Sequence, residues 1–367
     1  MKVLFSSRAT LFSVPGGDTI QLVKTAEYLR KLGVSVDFTH DSQPDLNGYD
    51  LVHLFNLMRP QDIYVQALNA KRQGKPVALS TIYGLYTEYE KKARPGLVGF
   101  VTRNMPIWQI ERLKVMGRAI NNHEFGRGSL LVAGLGYHRL CSWITKLVDV
   151  FLPNSHSEME RVNSDFIFSR NKPFVVVPNA VDTSVFNPKS VIVQDSIKRF
   201  EGCILSVARI EGRKSQLELV RAVKGIDVDL VLIGNPAPNH IGYYETIKCE
   251  AHERVHFIGQ VDHLTLAQYY AVSKVHALVS WMETPGLSSL EAGAMGCNLV
   301  ITDKGDTRDY FGDDAHYCDP QSVDSIHAAL NAALSASPNT GLQSRIISEY
   351  TWEKAAEMTL KGYKLAI

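Results

Sequence analysis

The sequence runs to 367 residues, 45% hydrophobic and 21% charged, enough apolar material for two ordinary cores. Lysine and arginine number 39 against 38 acids, a formal charge of +1, which supplies no global field for nucleic acid or another polyanion. The five cysteines lie tens of residues apart without a CxxC pair, and the longest uncharged apolar stretch, Leu130 to Tyr137, falls far short of the ~18 residues of a membrane span. The expectation is a protein of the reducing cytoplasm with neither an ordinary signal peptide nor a transmembrane anchor.

Short β-branched runs alternate with segments of helical period, the pattern of βαβ units around parallel sheets, so the fold class is α/β. Residues 3–6 read as a strand, followed by a Gly-rich turn and a helix with Ile20, Val23, Ala26 and Leu29 on one face, closed by Gly33 in a left-handed cap. Further strands are expected at 34–38, 49–54, 76–81, 148–153 and 174–177. The stretch PNAVDTSVFNP, 178–188, has proline at both ends and no period, and reads as a domain linker. Beyond it the alternation restarts, with strands at 203–207, 229–233, 255–258, 275–279 and 298–302 and helices from about Ser215 and Leu287. The tail opens on Thr351 as an N-cap and continues as a helix with Trp352, Ala355, Ala356 and Leu360 available to pack.

Two Gly-rich turns between strand and helix stand out, because open α/β sheets bind ligands beyond the carboxyl ends of their strands, where helix N-termini present unpaired N–H groups. The first is Pro15-Gly16-Gly17, where adjacent glycines admit a ligand close to the backbone; it lacks the GxGxxG spacing of a dinucleotide site. The second is the segment Glu283-Thr284-Pro285-Gly286-Leu287-Ser288-Ser289-Leu290-Glu291, in which Pro285 and Gly286 let a helix begin with the Leu287 and Ser288 N–H groups open to an anion. Glu291 falls on or beside the core face of that helix, so it is either a ligand for sugar hydroxyls or a structural carboxylate met by donors. Upstream, Arg209, Arg213 and Lys214 follow an apolar strand; if Arg209 and Lys214 turn inward they neutralise a phosphate, and otherwise they are a solvated loop.

Together these residues resemble the family 4 retaining glycosyltransferases of the GT-B fold. The matching elements are PGG at Pro15 to Gly17, VPNAVD at Val177 to Asp182 with Phe186, the Arg209 and Lys214 pair, the segment whose carboxylates Glu283 and Glu291 have seven residues between them, GAMG at Gly293 to Gly296, and the tail helix with Trp352. The resemblance implies two Rossmann-like parallel-sheet domains facing a central cleft, with 1–182 holding the acceptor, 183–349 the nucleotide sugar, and 350–367 packing back on the first. It implies a hexosyltransferase in which Arg209, Lys214 and Glu283 are catalytic. Gly16, Gly17, Arg209, Lys214, Gly286, Leu287, Ser288 and Glu291 would bind the donor, with Glu291 on the ribose and no metal or other cofactor needed. It further implies front-face attack, a diphosphate oxygen helping to remove the acceptor proton. Departures are Ala208 and Ser215 where many members have Gly, Ala180 in the linker, and Ile82 with Tyr83 where many carry an acceptor-site His; Tyr83 is the acceptor-binding candidate that remains.

Rival readings share the architecture: an epimerase, a phosphorylase, or a non-catalytic nucleotide or sugar binder. Asp227-Val228-Asp229 spells the DxD of metal-dependent transferases but stands at the wrong end of its strand for the ligand crevice. Between Lys91 and Lys146 ten Lys or Arg face two acids, Glu111 and Glu124, a local +8 against −7 for the remainder. Leu97, Phe100, Ile107, Trp108 and Ile110 are interleaved, which reads either as a solvated basic face or as a surface for anionic lipid. The expected partners are a nucleoside-diphosphate sugar, a glycan or lipid-linked acceptor and that membrane surface, with no nucleic acid; the expected place is the cytoplasm, peripheral on the inner face of the membrane.

Overall fold

The computed structural model describes residues 1–12, 16–121 and 126–367. The chain divides into two compact units: Met1–Leu85 with Val101–Asn179 and Trp352–Ile367, and Tyr86–Phe100 with Ala180–Thr351. The excursion Tyr86–Phe100, which lies inside the first domain by sequence, is thus grouped with the second unit.

The first unit is built on β1 (Lys2–Ser6), β2 (Ser35–Thr39), β3 (Leu51–Phe55), β4 (Val77–Ser80) and β5 (Val150–Leu152), a parallel sheet in the order β2-β1-β3-β4-β5. β3 is buried on both faces, as parallel strands covered by helices are, which is why LVHLF reads as a continuous apolar run around a single His. After β1 the helix Gly17–Lys31 buries Thr19, Leu22, Ala26 and Leu29, while Val23 of the expected face is exposed; Gly33 takes φ +82°. The expected strand at 174–177 shrinks to one bridge, Phe174 with Phe151. Pro173 and Pro178 flank it and lack the N–H donors that a longer ladder requires.

The tail helix Trp352–Ala366 packs on Gly17–Lys31 and on β5. Gly362 makes that approach possible, since a Cβ there would lie 2.4 Å from Leu152 Cδ2. Tyr363 reaches through to His53 on β3, its hydroxyl 2.7 Å from Nδ1, and Ser80 Oγ lies 2.9 Å from Nε2. Full burial drives the His53 pKa down to about 3, so the ring is neutral at ordinary pH.

In the second unit β6 (Cys203–Val207), β7 (Leu230–Ile233), β8 (Val255–Gly259), β9 (Ser273–Leu278), β10 (Asn298–Thr302) and β11 (His316–Cys318) form a parallel sheet ordered β11-β10-β9-β6-β7-β8. Apolar layers cover both faces, one around Leu205, Val231 and Leu299 and the other around Ile204, Leu230 and Val275. β11 has only three residues and no apolar run to announce it. The chain leaves β6 toward β7 on one side and later returns through β9 on the other, so the strand order reverses between β6 and β9. Loops leaving the carboxyl ends of two such strands diverge and open a crevice, the usual ligand position in this architecture. In the first unit the same reversal falls between β1 and β3.

Candidate functional site

The loop after β6 is pinned before it turns. The Ala208 N–H donates to Ile233 O at 3.0 Å, and a Cβ on Gly234, whose φ is +138°, would stand 2.1 Å from the Ala208 carbonyl oxygen. Gln216 clamps the loop from the far end, donating to Arg209 O at 3.0 Å and accepting from the Glu211 N–H at 3.4 Å. A short 3₁₀ turn, Gly212–Lys214, then leads to Ser215 at φ +49°, and the helix Gln216–Ala222 begins. That left-handed backbone explains why glycine suits the position after the lysine.

Opposite, the loop after β9 is held against the loop after β10. The Glu283 N–H donates to Lys304 O at 3.3 Å, the Asp306 N–H donates to Glu283 O at 2.9 Å, and a Cβ on Gly305 would lie 2.1 Å from that carbonyl oxygen. The Trp281 N–H crosses the crevice to Arg213 O at 3.0 Å. Glu283 and Lys214 complete the bridge as an ion pair, with side chains 10% and 14% exposed. Two residues 69 apart in sequence thus meet where the sheet reverses direction.

Around this pair the charges are ordered by one another. Arg213 donates to Glu211 Oε1 at 2.7 Å and lies over the Tyr86 ring, 4.4 Å from its centre. Burial pushes Glu211 up, but Arg213, then Lys214 and Arg209, outweigh it and hold the carboxyl below its ordinary value. Burial presses on the Arg213 guanidinium too, yet Tyr86, Glu211 and Glu283 raise it, so it stays charged. Arg209 is exposed on the same loop. The result is a cationic loop fixed in place before any anion arrives, the arrangement that stabilises a charged leaving group.

Gly286, at φ +93°, starts the helix Leu287–Ala294. Its first hydrogen-bonded N–H groups are those of Ser289 and Leu290, both to Gly286 O, so the Leu287 and Ser288 N–H groups have no backbone acceptor among the described residues. Glu291, one turn on, accepts from the Tyr270 hydroxyl at 3.1 Å, and that hydroxyl is equally 3.1 Å from Ser288 O. Desolvation dominates and pushes the Glu291 carboxyl up to about 8, the Tyr270 bond opposing it. The Ser289 hydroxyl is buried there without a partner. Lys214, Glu283, the helix start and Glu291 therefore belong to one end of one sheet.

In the first unit Pro15 lies outside the described residues. Gly16 caps the helix with extended backbone and its N–H donates to Thr19 Oγ1 at 3.1 Å. The turn is braced by Arg8, which grips Asp18 with two bonds of 3.2 Å, and by Asn56 from the end of β3. Tyr83 requires correction as an acceptor ligand. It is 1% exposed, its N–H donates to Glu158 Oε1 at 2.6 Å and its hydroxyl to Asp165 Oδ2 at 2.6 Å, so the side chain is committed to the core. Ile82 before it takes φ +42°, a region β-branched residues rarely enter. Asp227 pairs with Arg254 and Asp229 with His256 at 3.0 Å, at the amino end of β7. Of the residues the sequence left unassigned, Arg213 was visible as the third cation of its loop, whereas Tyr270 and Glu211 carried no signal.

Residues 194–350 match the family described as glycosyl transferases group 1. The chain is similar to one component of the phosphatidylinositol N-acetylglucosaminyltransferase of Arabidopsis thaliana, 26% identical over 60% of this chain and 50% of that one. A Campylobacter jejuni N-acetylgalactosamine-N,N'-diacetylbacillosaminyl-diphospho-undecaprenol 4-alpha-N-acetylgalactosaminyltransferase is 28% identical over 48% and 47%. The chain thus spans about half the length of the curated relatives it matches. Among solved structures, sucrose-phosphate synthase of Thermosynechococcus elongatus superposes with a TM-score of 0.71 at 16% identity, covering 99% of this chain and 98% of that one. Anabaena HepE in complex with UDP-glucose gives 0.69 at 13%, covering 99% of both. The fold is GT-B, two Rossmann-like parallel-sheet units. Within it, the match to the group 1 glycosyl transferases falls on the second unit.

Proposed function

We propose that this protein transfers a hexose-type sugar from a nucleoside diphosphate to a hydroxyl of a lipid-linked or glycan acceptor, with retention at the anomeric carbon and without a divalent metal. The observation that carries the reading is the Lys214 and Glu283 pair at the β6/β9 crevice, backed by Arg209 and Arg213 and facing the open end of the helix Leu287–Ala294. The bond from the anomeric carbon to the diphosphate breaks, the bond to the acceptor oxygen forms on the same face, and the acceptor proton passes to a diphosphate oxygen. Arg209, Lys214 and the Leu287 and Ser288 N–H groups take up the charge that develops on the leaving group, the task a metal performs elsewhere. Glu291 binds the ribose and Glu283 stands by the donor sugar.

The acceptor class is supported by the names of two relatives, which specify phosphatidylinositol and diphospho-undecaprenol. A membrane-facing surface is supported by the helix Ile107–Asn121, whose Leu113, Met116 and Ile120 are 52%, 37% and 61% exposed at helical spacing. Leu130 of the helix Arg127–Leu135 is 69% exposed, and Arg103, Arg127 and Arg139 of the same unit are exposed. Among the apolar residues read from sequence as the lipid-facing set, Ile110 is core, Ile107 and Trp108 are partly buried, Phe100 is exposed, and the Leu97 side chain lies outside the described residues. No helix among the described residues is long and apolar enough to cross a membrane. The attachment proposed is peripheral, on the cytoplasmic face.

The test is transfer from labelled UDP- and GDP-sugars to a polyprenyl-diphosphate or phosphatidylinositol acceptor in excess EDTA, with the anomeric configuration of the product read by NMR. Retained configuration and chelator-resistant turnover are expected. An inverted product, or activity lost to EDTA and restored by manganese, contradicts the reading.

A further inference from the structure

The second unit contains a cavity of about 710 Å³ on whose wall none of Arg209, Lys214, Glu283, Leu287 and Glu291 appears. It lies between the excursion Tyr86–Phe100 and the helices Gln216–Ala222 and Ile241–Glu250. The excursion is tied down by Glu88, paired with Lys304 at 2.8 Å, and by Tyr86 under Arg213. Gly212 lets it approach, since a Cβ there would be 2.3 Å from the Tyr89 hydroxyl oxygen. The volume falls in the range of small-molecule sites.

Its walls combine aromatic surface with polar groups of both kinds. Tyr89, Trp281 and Tyr243 supply rings; the Tyr243 hydroxyl is fixed by accepting from the Leu217 N–H at 3.0 Å, and the Tyr89 and Trp281 rings lie 6.3 Å apart. The Tyr89 hydroxyl, the Trp281 indole N–H and the Asn239 side-chain amide make no hydrogen bond among the described residues. Burial raises the Glu218 pKa, with only its own backbone N–H and then Arg221 opposing, as expected of a carboxylate turned into a cavity without a side-chain donor.

That set discriminates among ligands. An anion meets Glu218, and the cation on the wall, Arg94, is already held by both oxygens of Glu90 at 2.8 and 2.6 Å. A purely apolar chain leaves a carboxylate and an amide desolvated and poorly paired. A neutral sugar ring satisfies both demands, its C–H face on the aromatic rings and its hydroxyls donating to Glu218 and accepting from Asn239, Tyr89 and Trp281. We propose that this cavity is a saccharide-binding site, separate from the sugar-transfer site and holding a neutral pyranose of a glycan.

Saturation-transfer NMR with glucose, N-acetylglucosamine, maltose, cellobiose and chitobiose tests it on the full chain. At least one of these is expected to receive saturation at its ring protons, with affinity weakened about tenfold by Glu218→Gln and by Asn239→Ala. The signal is expected to persist in Lys214→Ala and under saturating UDP. Asn239 and Gln321 are exposed, so Asn239→Ala and Gln321→Ala provide variants whose unchanged melting temperature certifies the fold. No signal from any of the five saccharides, a signal indifferent to Glu218→Gln and to Asn239→Ala, or displacement by UDP overturns the proposal. UDP binding that fails while the saccharide signal survives counts against the sugar-transfer reading alone.

Discussion

The Tyr270 hydroxyl stands 3.1 Å from Glu291 Oε2 and is the hydrogen-bond donor that meets this carboxyl from the helix His263–Val272. With the carboxyl at about 8 in the folded chain against an ordinary 4.5, the folded state holds a proton that the unfolded state releases. Stability contributed by that proton is therefore full below about pH 4.5, declines as pH rises toward about 8, and levels off above it. Glu291→Gln removes the dependence. Melting curves of the variant and the parent are expected to coincide near pH 5 and separate in the variant's favour by pH 8.5; parallel pH profiles contradict this.

Lys214 and Glu283 answer to different measurements. On the proposed reading Lys214→Ala removes a charge-assisted contact to the diphosphate and is expected to weaken UDP or GDP binding by about 10- to 100-fold, from ~1.5–3 kcal/mol. Glu283→Gln keeps the shape of the loop and is expected to leave nucleotide affinity within a few-fold while lowering kcat by about 100-fold or more. Calorimetry and steady-state kinetics on the two variants separate the roles, and equal effects on binding sink the division.

Ser215 is a non-glycine residue at φ +49° with its side chain buried. Ser215→Gly relieves a left-handed cost of ~1 kcal/mol, offset in part by the freer unfolded chain, so the melting temperature is expected to stay level or rise slightly. Ser215→Val places a β-branched side chain in that backbone and is expected to lose more than ~1 kcal/mol. Urea titration of both variants reads the order, and a Val variant as stable as Gly contradicts it.

How much of this was legible in the sequence depended on whether the determinant was local. The strands LVHLF, CILSV and LVLI are readable because both faces are covered, and Gly33 and Gly286 are readable because the chain turns left-handed there. Arg209, Lys214, Glu283 and Glu291 stand out as polar residues at the ends of apolar runs. Tyr270 carries no such mark, being one of two tyrosines in a helix whose burial only tertiary packing sets. The grouping of Tyr86–Phe100 with the second unit rests on Glu88, Tyr86 and Tyr89 meeting Lys304, Arg213 and Gly212, more than a hundred residues away in sequence. Tyr83 misled for a different reason: it stands where many members of the resembled family carry an acceptor-site His, while Asp165 and Glu158 draw it inward.

The exposed stripe Leu113, Met116 and Ile120 gives the membrane proposal a specific target. Leu113→Glu with Met116→Glu adds charge to surface positions and is expected to reduce binding to phosphatidylglycerol vesicles at least about tenfold without lowering the melting temperature. Parent binding is expected to fall as salt rises. Co-sedimentation that is indifferent to the two substitutions, or to lipid charge, removes the membrane from the account.

The β6/β9 crevice of the second unit is proposed to bind a nucleoside diphosphate through Lys214 and its neighbours. Isothermal titration of UDP, GDP and their sugar conjugates, in EDTA, into the parent chain and the Arg209→Ala/Lys214→Ala variant measures it directly. At least one ligand is expected to bind the parent with micromolar affinity and to lose about 100-fold or more in a variant that melts normally. Unchanged affinity in the variant, or no binding of any of these nucleotides to the parent, contradicts the claim.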